Sequence, residues 1–147
     1  MLRKLSLIAM LIIVPLQFVL GQKKELAQAR DNLKAGKSLV ETEASMRKLL
    51  TDSANRGNEK IWLTLFEAVK KQYEAVNEKM YLKQSADTSQ FFGTTYRMFG
   101  VLEGLDSIDA KPDSNGKVKL KFRKRNAEYL DSFRRNLFNG GLFHMAR

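Results

Sequence analysis

The residues able to do chemistry in this 147-residue chain are few and scattered. There is no Cys, and the single His is His144 near the end of the chain. A thiolate metal site, an iron–sulfur cluster, a disulfide framework and a cysteine nucleophile all need Cys and are excluded. One His does not build a multi-histidine metal site or a serine–histidine triad. Carboxylates occur in near pairs, Glu41 with Glu43 and Asp106 with Asp109. Such pairs can share general acid–base work when their surroundings push the two pKa values apart. Both pairs fall beside expected helix ends, however, where acids cap helices or face solvent. There is no Gly-rich phosphate loop, His-Glu-x-x-His, nucleophile elbow or calcium loop. The expectation is a non-enzymatic protein with no metal and no cofactor. Trp62 and the aromatics from Phe91 to Phe99 could line a ligand pocket, although their helical spacing favours core packing.

Charge is the sharper signal. The chain carries 26 Lys and Arg against 16 Asp and Glu, a formal net charge of +10. Residues 22–110 hold 14 basic and 13 acidic side chains, whereas residues 111–147 hold 10 basic and 3 acidic. The excess is therefore concentrated in Lys117, Lys119, Lys121, Arg123, Lys124, Arg125, Arg134 and Arg135, with Phe122 and Tyr129 interleaved. Basic residues with aromatics among them match a nucleic-acid patch, but a solvated basic face has the same composition.

The leader speaks against nucleic acid. Arg3 and Lys4 precede a mostly apolar run from Leu5 to Leu20, and Val19-Leu20-Gly21 offers a signal peptidase a small final residue. Residues 1–21 read as a secretory signal cleaved before Gln22; an uncleaved anchor is the other reading. The expected location is the periplasm, where an anionic membrane or glycan surface, or an acidic protein, suits a basic segment better than nucleic acid.

The elements that must position these residues are helical from Gln22 to about Asp106. Leu26, Ala29 and Leu33 make a thin stripe that Gly36 closes. Ser38 with Glu41 reads as a capping box for a second helix carrying Leu39, Met46, Leu49 and Leu50 inward. Asn58 and Glu59 start a third helix with Ile61, Leu65, Val69, Tyr73 and Val76 on one face. Asp87 and Thr88 start a fourth, where Phe91, Met98, Leu102 and Leu105 run beside Phe92, Tyr96 and Phe99, a face wide enough to be covered on more than one side. Gly93, Gly100 and Gly104 in that helix suggest close approach of a neighbour, because each Gly costs about 0.8–1 kcal/mol against Ala. After a turn at Lys111 to Gly116, residues Lys117 to Phe122 alternate strictly, which predicts an extended segment with Val118, Leu120 and Phe122 on a buried face. A last helix is expected from about Arg125 to Phe138, with Tyr129, Phe133 and Leu137 inward and Asn139-Gly140-Gly141 as its stop; His144 then falls in a frayed tail.

Several stretches resemble the N-terminal part of secreted tetratricopeptide-repeat (TPR) proteins of Bacteroidota. They are residues 22–30, Leu33 to Lys37, Asn58 to Leu63, Met98-Phe99, Leu105 to Asp109, and Tyr129 to Gly141. The resemblance implies an all-α fold of antiparallel helical hairpins, a TPR-like α-solenoid fragment with one extended basic segment before the last helix. It also implies a protein-binding surface, with no catalytic residues to carry over. The general repeat signature is not met, since Phe66 stands where a small residue is expected between Trp62 and Tyr73. Proteins of that kind continue into further repeats; if this chain is a truncated member, its apolar end at Leu142, Phe143 and Met145 is expected to be an interface for the next repeat rather than a finished terminus. The organisation expected is a signal peptide at 1–21, helical hairpins at 22–106, a turn and basic segment at 107–124, and a terminal helix and tail at 125–147. The expected function is an exported protein–protein interaction scaffold at the cell envelope. The alternative is a binder of anionic lipid or glycan surfaces through the basic segment.

Overall fold

The structure, a computed structural model, describes residues 21–146. The expected leader at 1–21 lies outside the described residues except for Gly21. Among the described residues the chain is all-α. Helix α1 covers 21–35, followed by α2 (Leu39–Thr51), a 3-10 turn (Ser53–Asn55), α3 (Glu59–Tyr81), α4 (Thr88–Asp109), α5 (Arg123–Asp131) and α6 (Arg134–Met145).

Local chemistry sets most of these boundaries. Gly36, at φ 64, ends α1: its amide donates to Leu33 O, and the Lys37 amide donates to Asn32 O, satisfying two end carbonyls. The Asn58 side chain accepts from the Lys60 amide and that of Asp87 from the Ser89 and Gln90 amides, so both expected caps are present. The capping box at Ser38 is not. Ser38 sits in the left-handed region at φ 49 and makes no side-chain cap bond, because that backbone is far from the extended conformation that lets an N-cap oxygen reach the first-turn amides.

Helix α3 lies between α2 and α4. Its buried face is the one expected, Ile61, Leu65, Val69, Tyr73 and Val76, joined by Ala68. Met46 and Leu49 from α2, and Met98 and Val101 from α4, close the main core around it, with Ala29 of α1 at the edge. A smaller cluster of Tyr73, Val76 and Phe91 continues the packing. Each fully buried Leu, Val or Met side chain contributes about 1.5–3 kcal/mol. Thr94 and Thr95 are also buried in α4, their hydroxyls returning to Gln90 O and Phe91 O, so neither is left unpaired.

Helices α5 and α6 also pack against α4, which explains its wide apolar face, and Tyr129 and Phe133 reach Phe66 and Tyr73 of α3. Here two expectations are corrected. The single last helix is two, with a break at Ser132-Phe133, and Gly140-Gly141 lie inside α6 rather than after it. A Cβ at Gly140 would stand 3.0 Å from Phe92 Cβ, so this glycine admits close packing of α6 on α4 instead of ending a helix. His144 accordingly sits in the last turn of α6, not in a tail.

The alternating segment is a further correction. Residues 117–122 form no strand, and Val118 and Leu120 are 49% and 51% exposed. Alternation buries a face only when a sheet neighbour or a core lies on one side, and the described residues contain no strand to pair with.

The glycine stripe of α4 resolves into one contact. A Cβ at Gly104 would collide with the Trp62 indole of α3, whereas Gly93 meets only the Arg97 side chain of its own helix and Gly100 faces open space. Opposite mutational signs follow. Gly100→Ala should stabilise by about 0.8–1 kcal/mol through helix propensity alone. Gly104→Ala should destabilise by about 1–3 kcal/mol despite the same propensity gain, because the rigid indole must move. Urea unfolding of the two variants checks this; equal signs would show that Trp62 does not require Gly104.

Candidate interaction surface

The basic residues singled out by charge are not one patch of free cations. Lys121 Nζ is 2.8 Å from Glu59 of α3, Arg123 Nε is 3.5 Å from Asp106 of α4, and Lys119 Nζ is 3.6 Å from Asp113. Within the last two helices Arg134 pairs with Asp131 at 3.3 Å, and Lys124 lies 4.0 Å from Glu128. Arg125 stacks over the Phe122 ring at 5.4 Å. Lys117, Arg125 and Arg135 have no carboxylate partner among the described residues. These pairs are exposed and contribute little to stability, but they spread the excess charge over the loop, α5 and the start of α6.

The loop is held by two aspartates. Asp113 accepts from the Asn115 amide (2.9 Å) and the Lys117 amide (3.0 Å), with Gly116 at φ 73 closing the turn. Those amides, Lys117 first and then Asn115, hold its carboxyl below the usual carboxylate range. Asp109, the last residue of α4, reaches across the loop: Oδ2 accepts from the Phe122 amide at 2.8 Å and the Arg123 amide at 3.4 Å. It thereby caps the N-terminus of α5, whose own preceding residue, Phe122, supplies no side-chain cap. Burial alone would raise the Asp109 pKa; the amides of Phe122, Lys121 and Arg123, with the Lys121 charge, outweigh it and lower the value.

Sequence reasoning placed the acids at helix ends. That holds for Asp109 but not for Glu43, which is 7% exposed. Glu43 Oε1 accepts from Arg47 Nε at 2.9 Å, Oε2 accepts from Gln72 Nε2 at 2.8 Å, and Arg97 Nε lies 3.1 Å from Oε1 in ion-pair range. Arg97 Nη2 donates to Gln72 Oε1 at 3.3 Å and to Thr94 Oγ1 at 3.2 Å. A usable signal was present, since Glu43 stands four residues after Leu39 and three before Met46, inside the inward stripe of α2.

The aromatics divide. Phe91 is core, Tyr129 packs edge-on to Phe66 at 5.6 Å, and burial, then Glu74, Tyr73 and Glu67, push the Tyr129 phenol up to about 12. Tyr96, expected to broaden a covered face, is exposed, and it lines an open cleft with Phe99. Among the described residues no group of three acids or His could hold a metal ion, and no helix is long and apolar enough to cross a membrane. No known protein family, curated protein or solved structure matches the chain.

The Asp109 bond has a signed pH consequence. Its folded pKa lies below its ordinary value of 3.8, so its contribution is present above that value and disappears as pH falls through the folded one. Asp109→Asn should lower stability by about 1 kcal/mol at pH 7. The gap to the parent should begin to narrow below pH 3.8 and close only below the folded pKa. Denaturant unfolding at pH 7 and pH 3 measures it, and a gap that does not change with pH would remove the charge from the explanation.

Proposed function

We propose that this protein is an exported, non-enzymatic helical-repeat scaffold, sent to the periplasm by its leader and binding other proteins at the cell envelope. The observation that carries this reading is the outer face of α6. Phe138, Leu142 and Met145 are exposed at spacings of four and three residues, which align them along one side of a helix. Three large apolar side chains in one stripe suit the apolar face of a helix from a partner protein. The TPR-like hairpin reading draws support from α3 and α4, where Trp62 meets Gly104 at one end and Tyr73 meets Phe91 at the other, so the two helices run in opposite directions.

A photo-crosslinking residue placed at Leu142 in the full chain, expressed in its own compartment, tests this directly. Discrete adducts with another protein, persisting at 0.5 M salt and missing when the probe is moved to exposed Lys83, are the expected result. Adducts at Lys83 equal to those at Leu142 would remove the stripe as the binding face.

A second reading is favoured by one specific observation. The loop exposes Val118 and Leu120 between Lys117, Lys119 and Lys121. Apolar side chains interleaved with cations match the interface of an anionic lipid surface, where each Lys contributes about 1 kcal/mol. Changing the three lysines to Gln should weaken binding to phosphatidylglycerol vesicles by about 10–100-fold at low salt. Unchanged vesicle binding would leave the protein-scaffold reading alone.

A further inference from the structure

A cleft of about 780 Å³ lies between α4 and the α5–α6 pair, reached also by Arg47 of α2. Phe99 and Leu102 on one wall and Ala127, Leu130 and Leu137 on the other make it mainly apolar. Its size falls within the range of small-molecule sites. What distinguishes it from an ordinary packing groove is that three of its lining residues carry buried polar atoms with no hydrogen-bond partner. Asn126 is 7% exposed, yet its Nδ2 has no hydrogen-bond partner among the described residues. The same holds for Asp106 Oδ1, while the pairing of that carboxylate with Arg123 runs through Oδ2. Arg97 Nε, though in ion-pair range of Glu43, makes no hydrogen bond. All three residues line the cleft. Buried donors and acceptors are rarely left unmet in folded proteins, so two donors and one acceptor at one site call for a complementary group.

The charges define that group further. Arg47 and Arg97 converge on one carboxylate, Glu43, which leaves one positive charge uncompensated at that end. Asp106 and Arg123 neutralise each other, and Glu103 lies at the exposed edge. A carboxylate therefore fits the Arg97 and Asn126 donors. The Asp106 oxygen then needs an N–H or O–H on the same head group, and the apolar walls take a hydrocarbon body.

We propose that this cleft binds a small amphipathic carboxylate: an apolar chain whose head carries the carboxylate and, within a few bonds of it, a hydrogen-bond donor. N-acylated amino acids and hydroxylated fatty acids both have this chemistry. The assignment does not rest on the scaffold reading, which concerns the outer face of α6.

Calorimetric titration of the full chain with N-decanoylglycine, 3-hydroxydecanoate and decanoate, each below its micelle concentration, tests it. Saturable binding at one site per chain is expected for at least one of the first two probes, about tenfold tighter than decanoate, which has no donor for Asp106. The better of the two identifies an amide or a hydroxyl as the donor. Asn126→Asp should weaken that probe about tenfold or more by replacing a donor with an acceptor. Gly100 lines the cleft and a Cβ there meets nothing within 4 Å, so Gly100→Leu should fill the space, abolish binding and leave the thermal melt no lower than the parent's. The proposal is overturned by absence of saturable binding, by decanoate binding as tightly as the other probes, or by binding that survives both substitutions.

Discussion

A carboxylate inside an apolar stripe sets the geometry of the central helices. Glu43 leaves water only because Arg47 of its own helix, Gln72 of α3 and Arg97 of α4 surround it. A buried charge without such partners would cost several kcal/mol, so the three helices are constrained to a register that brings them together. Gln72 is the connector: its amide nitrogen also reaches Leu39 O and Ala68 O, while its oxygen accepts from Arg97. Apolar contacts alone would tolerate a helix sliding by part of a turn. A set of directional bonds shared by α2, α3 and α4 does not.

That constraint carries outward. With α4 set against α3, Trp62 lies over Gly104, and α5 and α6 pack on the α3–α4 pair. Their docking is aromatic, through Tyr129, Phe133 and Phe143 against Phe66, Tyr73 and Phe92. It is also polar at one point, where Asn136 donates to the Tyr73 hydroxyl at 3.1 Å. The chain crosses from α4 to α5 through the basic loop, and Asp109 holds the far end of that loop by capping α5. The segment with the highest charge density is thus anchored at both sides by carboxylates, Asp113 and Asp109, and its cations are drawn toward Glu59 and Asp106 instead of forming a single field.

Much of the helical frame was legible because its causes are local. Asn58, Asp87 and Gly36 satisfy backbone groups within a few residues of themselves, so their roles survive any tertiary arrangement. The buried face of α3 was legible for a similar reason, since a 3.6-residue period needs no knowledge of what covers it. The failures share the opposite property. Gly140 looks like a helix stop until Phe92 is known to lie against it. Ser38 has the letters of a capping box but a backbone set by the turn before it. Val118, Leu120 and Phe122 have the pattern of a half-buried strand, yet a strand is defined by its neighbour, and α5 and α6 came to cover α4 instead. Of the candidate surface, the basic residues themselves were visible in composition, while the partners that share out their charge lie 3 to 62 residues away.

The sequence by itself determined an all-helical chain, the capped starts of α3 and α4, and the placement of nearly all the excess charge after residue 110. Those follow from composition and from interactions between residues a turn apart. Only the tertiary structure decided that Glu43 is buried, that Gly104 and Gly140 are contact points while Gly100 faces open space, and that Arg97, Asp106 and Asn126 line one cleft. Each of these depends on which surfaces of distant helices come into contact, and burial, unlike helical period, is a property of the assembled chain.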